Sequence, residues 1–301
     1  MNKFKAWLQA ARLRTLPLSV SGIIVGTTLA NISGYSDSLI FLLALLTTIG
    51  FQITSNFAND YGDGVKGTDN EERIGPKRML QSGALNRREL KNGIWISVIV
   101  NLMLVAVLLY LAFGIDQIHY TILFALLGIF SIWSAVKYTV GDTAYGYLGL
   151  GDLFVFVFFG LLSVLGSLFL YGQSLFPAAI LPASTIGLLS TAVLNLNNMR
   201  DLETDKKVGK RTMAVILGPE KSRVYHYVLI LGSLVCMIVF SLNYAASAWH
   251  WIPLLAYVPL LLHLRKMSRI KEASKLDPEL KKIALSTFLL SLLFYFTYNF
   301  L

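Results

Sequence analysis

From end to end the chain alternates long apolar runs with short polar segments. A helix crossing the hydrocarbon core of a bilayer needs about 17–25 predominantly apolar residues. The pattern predicts nine such helices, over 16–32, 39–57, 94–113, 118–136, 151–171, 176–198, 225–243, 249–264 and 283–300. Residues 2–11 read differently. There Phe4, Trp7 and Leu8 lie among Lys3 and Lys5, the pattern of a short helix resting in the membrane interface.

Composition agrees: 55% hydrophobic and 14% charged residues, with a mean hydropathy of +0.62, do not describe a soluble domain. Charge placement adds more. If the N-terminus lies inside, the inner segments are 1–15, 58–93, 137–150, 199–224 and 265–282. They carry 4, 7, 1, 7 and 7 Lys or Arg, which is all 26, and the outer loops carry none. This is the positive-inside pattern of one polytopic domain over residues 1–301. The net charge of +9 is therefore a topology signal, and no nucleic-acid partner is expected. Cys236 stands alone, which excludes a disulfide framework within the chain. His119, His226, His250 and His263 are scattered, which argues against zinc chemistry and a histidine base.

Two polar clusters interrupt the apolar pattern where helices 2 and 6 end. The first runs Asn56-Phe57-Ala58-Asn59-Asp60-Tyr61-Gly62-Asp63 and on to Lys66-Gly67-Thr68-Asp69. The second runs Asn195-Leu196-Asn197-Asn198-Met199-Arg200-Asp201-Leu202-Glu203-Thr204-Asp205. If helix 2 persists, Asn56, Asn59, Asp60 and Asp63 lie on one helical face, and Asp201 and Asp205 share another. Asp60 and Asp201 are 141 positions apart, and each cluster enters a basic inner loop. Helices 1–4 and 5–8 thus look like two repeats, with helix 9 added.

Carboxylates at a membrane face, followed by cations, suggest a divalent metal holding a phosphorylated ligand. Magnesium takes one or two protein carboxylates and completes its shell with water and phosphate oxygens. Asn59, Asp60, Asp63, Asp69, Asp201 and Asp205 are the candidate metal ligands. Arg73, Lys77, Arg78, Arg200, Lys210 and Arg211 are the candidate diphosphate contacts. The bland alternative is solvated turn chemistry at two helix ends. A transporter is the alternative of another class, but it would place ionisable groups near the membrane midplane, where this sequence has almost none. A third polar stretch, Lys137 to Asp152, holds Tyr138, Tyr145 and Asp152. These surround an aromatic acceptor on one reading; on the other, Asp152 is merely an N-cap or first-turn carboxylate of helix 5 favoured by the helix dipole.

Several segments resemble the UbiA superfamily of intramembrane prenyltransferases, along the whole chain. They are Arg12-Leu13-Arg14-Thr15-Leu16-Pro17, Asn59-Asp60-x-x-Asp63 with Lys66-Gly67-Thr68-Asp69, and Arg73-Ile74-Gly75-Pro76. Gln81-Ser82-Gly83, Gly149-Leu150-Gly151-Asp152-Leu153 running into Phe158-Phe159-Gly160, and Asn197-Asn198-Met199-Arg200-Asp201 through Asp205, with Gly209 and Thr212-Met213-Ala214, complete the set. Two positions depart. Gly67 stands where many members carry the last aspartate of the first motif, a role the resemblance passes to Asp69. Thr143-Ala144 replaces an expected Pro or basic residue. The resemblance implies an all-α bundle of nine transmembrane helices and catalytic Asp60, Asp63, Asp201 and Asp205 with Mg2+ as cofactor. It also implies a polyprenyl diphosphate donor and, from the finer motif match, 1,4-dihydroxy-2-naphthoate as acceptor; 4-hydroxybenzoate and homogentisate are the neighbouring possibilities. Asn56, Asn198, Tyr138, Tyr145, Asp152 and Arg12 would face the acceptor. The setting implied is the lipid bilayer of a bacterial cytoplasmic membrane, with the site facing the cytoplasm.

Overall fold

The computed structural model describes residues 2–67, 75–141, 143–270 and 272–301, and they fold into helices and turns without a strand. In chain order the helices are α1 (Lys3–Ala11), α2 (Leu16–Ile32), α3 (Ser38–Lys66), α4 (Arg87–Phe113), α5 (Ile118–Lys137) and α6 (Gly151–Val155). They continue with α7 (Ser163–Gly172), α8 (Ile180–Arg200), α9 (Leu202–Lys207), α10 (Met213–Tyr244), α11 (Tyr257–Met267) and α12 (Asp277–Phe300). A π-helical stretch, Phe156–Leu162, joins α6 to α7 into one rod, Gly151–Gly172. Among the described residues eight helical stretches are long and apolar enough to cross a membrane, so the chain is a multi-pass membrane protein.

The predicted eighth helix, 249–264, is not one continuous α-helix. It forms as a 3-10 run, Ala248–Ala256, followed by α11. Pro253 and Pro259 account for this, since a proline ring removes a backbone donor and clashes with the preceding turn. α10 has a related break at Gly218, whose φ of 75° only glycine adopts freely, just before Pro219.

Sequence explains the starts and the close crossings. Asn2 caps α1, Asp37 caps α3 through the Leu39 and Ile40 amides, and Asn86 and Glu89 form a capping box on α4. α1 buries Ala6, Ala10 and Ala11 and sets Trp7 edge-on against Phe57, while Phe4 and Leu8 stay exposed as an interfacial helix requires. Gly160 and Gly187 meet backbone to backbone where the π stretch crosses α8, and a Cβ on either would collide. α2 and α8 are the most enclosed spans, with 67% of each buried, whereas α5 has 11% buried and faces lipid.

The main core joins α2, α7, α8, α10, α11 and α12 through Leu29, Ile186, Leu189, Leu196, Ile230, Phe240 and Phe294. A buried polar chain runs through it. Asn195 Nδ2 lies 3.4 Å from His226 Nδ1, His226 Nε2 lies 2.9 Å from His263 Nε2, and His263 Nδ1 lies 2.7 Å from Glu279. Lys266 and Lys282 donate to the same carboxylate at 2.7 and 2.9 Å. Histidines scattered in sequence thus become one tie across four helices. Each interhelical hydrogen bond of this kind contributes about 0.6 kcal/mol.

Candidate active site

α3 runs nine residues beyond its apolar stretch and stops at Gly67, whose φ of 73° caps the helix. Asn56, Asn59, Asp60 and Asp63 are therefore all helical. Adjacent helical positions are turned by about 100°, and this divides the face. Asp60 sits at one edge and turns to the loop before α4, where its oxygens accept the Met79 amide at 3.0 Å and the Leu80 amide at 3.1 Å. Asn56 looks back to the α1–α2 turn and donates to the Ala11 carbonyl at 2.8 Å. Arg12, the turn residue with φ of 50°, reaches the Asn56 carbonyl. Asn56 and Arg12 hold the inner ends of α1, α2 and α3 together. Asn59 and Asp63 lie toward the opposite edge. Asn59 accepts from the Thr139 hydroxyl at 3.2 Å, and Asp63 accepts from the Tyr147 hydroxyl at 2.8 Å.

The second cluster sits where α8 ends and α9 begins. Asp201 is the C-cap of α8, and the Asp205 amide donates to the Asp201 carbonyl, which folds both carboxylates into one tight turn. Asp201 and Asp205 are both buried. Gly209, with a φ of 72°, then returns the chain so that Lys210 Nζ stands 3.8 Å from the Asp205 carboxylate.

Tyr147 joins the two clusters. It belongs to a short 3-10 turn, Tyr145–Tyr147, in the α5–α6 loop. Its hydroxyl is on Asp63, its carbonyl accepts the Arg211 amide at 3.1 Å, and its ring lies 4.0 Å below Lys66 Nζ and 5.1 Å from Lys210 Nζ. Burial works against the Lys210 charge, but Asp63, Asp205 and Asp201 together hold its ammonium above the ordinary lysine range. Lys210 therefore answers to carboxylates of both clusters at once. The sequence names Lys66 only as part of the first cluster, without a role, and the only signal for Tyr147 is its aromatic-glycine surroundings.

The remaining predicted residues divide. Arg200 is buried and fully engaged: Nε and Nη2 clasp Asp201 at 2.8 and 2.7 Å, Nη2 also donates to Asn197, and Nη1 reaches Asp277. It faces protein carboxylates where the sequence suggests a diphosphate. Arg211 and Lys77 are exposed, and Arg78 is half-buried beside Gln81. Asn198 is buried on α8. Asp69 and Arg73 lie outside the described residues.

On the acceptor side, Tyr138 and Tyr145 meet edge to face at 5.4 Å, and Tyr145 donates to the Ser134 carbonyl at 2.9 Å. Burial, then the carboxylates of Asp152, Asp63 and Asp205, push the Tyr138 phenol well above its usual range, so it remains a protonated donor. Asp152 is not the N-cap of its helix but a first-turn carboxylate of α6, as the bland reading allows. It is buried beside Tyr225 of α10, and its Oδ1 has no hydrogen-bond partner. A buried carboxylate oxygen in that state is poised for a ligand donor.

Through Tyr147 and Lys210 the inner end of α3, at Asp63, is linked to the α8–α9 turn at Asp205, with Lys66 over the same tyrosine ring. The donor set is hard oxygen throughout, which fits magnesium completed by phosphate oxygens. Among the described residues no three acidic, histidine or cysteine side chains lie close enough together to hold a metal ion by themselves.

Comparison with known proteins places the chain in a family. The chain is 45% identical over 294 residues to 1,4-dihydroxy-2-naphthoate octaprenyltransferase of Escherichia coli, covering 98% of this chain and 95% of that protein. The Haemophilus influenzae protein of the same name is 43% identical over 296 residues, with 97% and 95% covered. Among solved structures, a UbiA homologue from Aeropyrum pernix superposes with a TM-score of 0.69 at 18% identity, covering 92% of this chain and 97% of that one. A UbiA homologue from Archaeoglobus fulgidus, bound to GPP and Mg2+, gives 0.68 at 18% identity with 98% of each chain covered. The model of the UbiA prenyltransferase family matches residues 19–293, and the chain belongs to that family.

Proposed function

We propose that this protein transfers a polyprenyl chain from polyprenyl diphosphate to 1,4-dihydroxy-2-naphthoate, releasing diphosphate and carbon dioxide and giving demethylmenaquinol. What carries the reading is the near full-length identity of 45% to a relative with that named activity, in a chain where Tyr147 bonds Asp63 and its ring lies against Lys210 beside Asp205. The diphosphate binds at the inner ends of α3 and α8, with the prenyl chain directed toward lipid.

Asn59, Asp63, Asp201 and Asp205 would hold magnesium, with Asp69 completing the first motif. Magnesium supplies Lewis-acid stabilisation of the negative charge that builds on the departing diphosphate. Lys210 and Lys66 add fixed positive charge at the same place, joined by Lys77, Arg78, Arg211 and Arg73, so the carbon–oxygen bond ionises with its electron pair on the diphosphate. Asp60 anchors the loop before α4, and Tyr147 fixes the orientation of Asp63. The allylic cation is then attacked by the ring carbon bearing the carboxylate. The new carbon–carbon bond forms, the bond to the carboxylate breaks, and the ring regains aromaticity by losing carbon dioxide. No proton acceptor is needed at that carbon. Tyr138 donates to the acceptor, the free Asp152 oxygen accepts from a ring hydroxyl, and Tyr225 holds that carboxylate in place. Arg12, Asn56 and Asn198 line the inner end behind it.

The five basic segments face the cytoplasm of a bacterial inner membrane, and the site opens to that side. The two-piece stretch 248–267 rises about 34 Å at 3-10 and α-helical pitch, enough for a ninth crossing.

The test is purified protein given a prenyl diphosphate and a panel of aromatic acids, with and without magnesium. Product from the naphthoate alone, and only with magnesium, is expected. Prenylation of 4-hydroxybenzoate or homogentisate in its place overturns the acceptor assignment, and undiminished turnover after chelation overturns the metal assignment.

A further inference from the structure

Arg200 lies between two carboxylates from distant parts of the chain. One edge of its guanidinium, Nε and Nη2, grips Asp201 side-on. The other end, Nη1, holds Asp277, 77 residues away at the start of α12. Nη2 also donates to the Asn197 amide oxygen at 2.9 Å. Arg200 has 2% of its side chain exposed and Asp201 11%, whereas Asp277 has 39%. A planar guanidinium fastened at both ends has one orientation left, and so has the carboxylate it clasps. Asp277 is followed by Pro278, which suits the first turn of a helix, so helix initiation alone explains an acid there. It does not explain why that acid reaches across to α8.

We propose that Asp277 is a positioning residue for the second acidic cluster: by holding the far end of Arg200, it sets the direction in which Asp201 faces the cation. This rests on the metal-site reading above. Two effects operate together. The tether keeps the guanidinium in plane, so Asp201 presents the same lone pairs in every molecule. The Asp277 charge also offsets the Arg200 cation, which lowers the repulsion an incoming metal meets at Asp201; with Asp277 neutral that repulsion rises.

Partners that orient a metal ligand without touching the metal typically change metal affinity by about tenfold or more. The probe is Mn2+ followed by electron paramagnetic resonance in the presence of inorganic diphosphate, on the full chain in lipid nanodiscs. Asp277→Asn is expected to weaken Mn2+ about tenfold, and Asp277→Glu to restore near wild-type binding. Arg200→Lys, which keeps the charge but loses the fork, is expected to weaken Mn2+ as Asp277→Asn does and serves if that variant folds poorly. In turnover the same variants should raise the magnesium needed for half-maximal rate more than they lower the rate at saturation. Wild-type Mn2+ affinity in Asp277→Asn or Arg200→Lys, even with a lowered melting temperature, reduces the contact to a structural ion pair and overturns the proposal. Asp201→Asn separates the two levels. If it binds Mn2+ like wild type, the metal-site reading has failed and Asp277 falls with it; if it loses Mn2+ while Asp277→Asn does not, only Asp277 has failed.

Discussion

Asp63→Asn and Asp201→Asn are each expected to leave a folded membrane protein whose turnover is lower by about a thousandfold, the scale of losing a group aimed at transition-state charge. Both side chains are buried near the aqueous end of the bundle, and neither belongs to the apolar core. Asp63 accepts from the Tyr147 hydroxyl, so an amide there keeps the shape and removes the charge; both Asp201 oxygens accept from Arg200, so Asp201→Asn also lowers the melting temperature while the Asp277 contact still holds the arginine. Asp60→Asn should behave differently despite lying in the same motif. Its two oxygens accept backbone amides of Met79 and Leu80, so the cost falls on the loop before α4 and on thermal stability as well as on rate. Steady-state rates and melting curves on the three variants separate these outcomes. Turnover within a few-fold of wild type for both Asp63→Asn and Asp201→Asn would remove the metal site.

Tyr147 should be the next most sensitive position. Its hydroxyl orients Asp63, and its ring keeps Lys66 and Lys210 at the diphosphate rim through cation–π contact, each worth about 0.5–2 kcal/mol. Tyr147→Phe keeps the ring and loses one hydrogen bond, with an expected drop of about tenfold; Tyr147→Ala removes both supports, with an expected drop of about a hundredfold. Equal rates for the two variants would show that the ring does not hold the lysines.

The residues explain which parts of this were readable beforehand. Apolar runs and the one-sided placement of Lys and Arg reveal a membrane bundle because both follow from local composition. The acidic clusters are visible because charge at a membrane helix end is costly. The direction each acid faces is another matter. Asp60 and Asp63 are three residues apart, yet one binds a loop 19 positions downstream and the other a tyrosine 84 positions away. Arg200 reads as a phosphate ligand beside Asp201, and nothing local announces Asp277. His226 and His263 are unrelated in sequence and bonded in the fold. The stretch 249–264 has the hydropathy of a single helix, but Pro253 and Pro259 decide its backbone. Periodicity reports burial; partner choice is set by packing between distant segments.

The most direct measurement uses 1,4-dihydroxy-2-naphthoate labelled in its carboxyl carbon, with prenyl diphosphate and magnesium. One labelled carbon dioxide should be released for each lipid product formed, because prenylation at the carboxyl-bearing carbon expels that group. Label recovered in the lipid product would contradict it, showing a prenyl transfer that keeps the carboxylate and hence a different ring chemistry at this site.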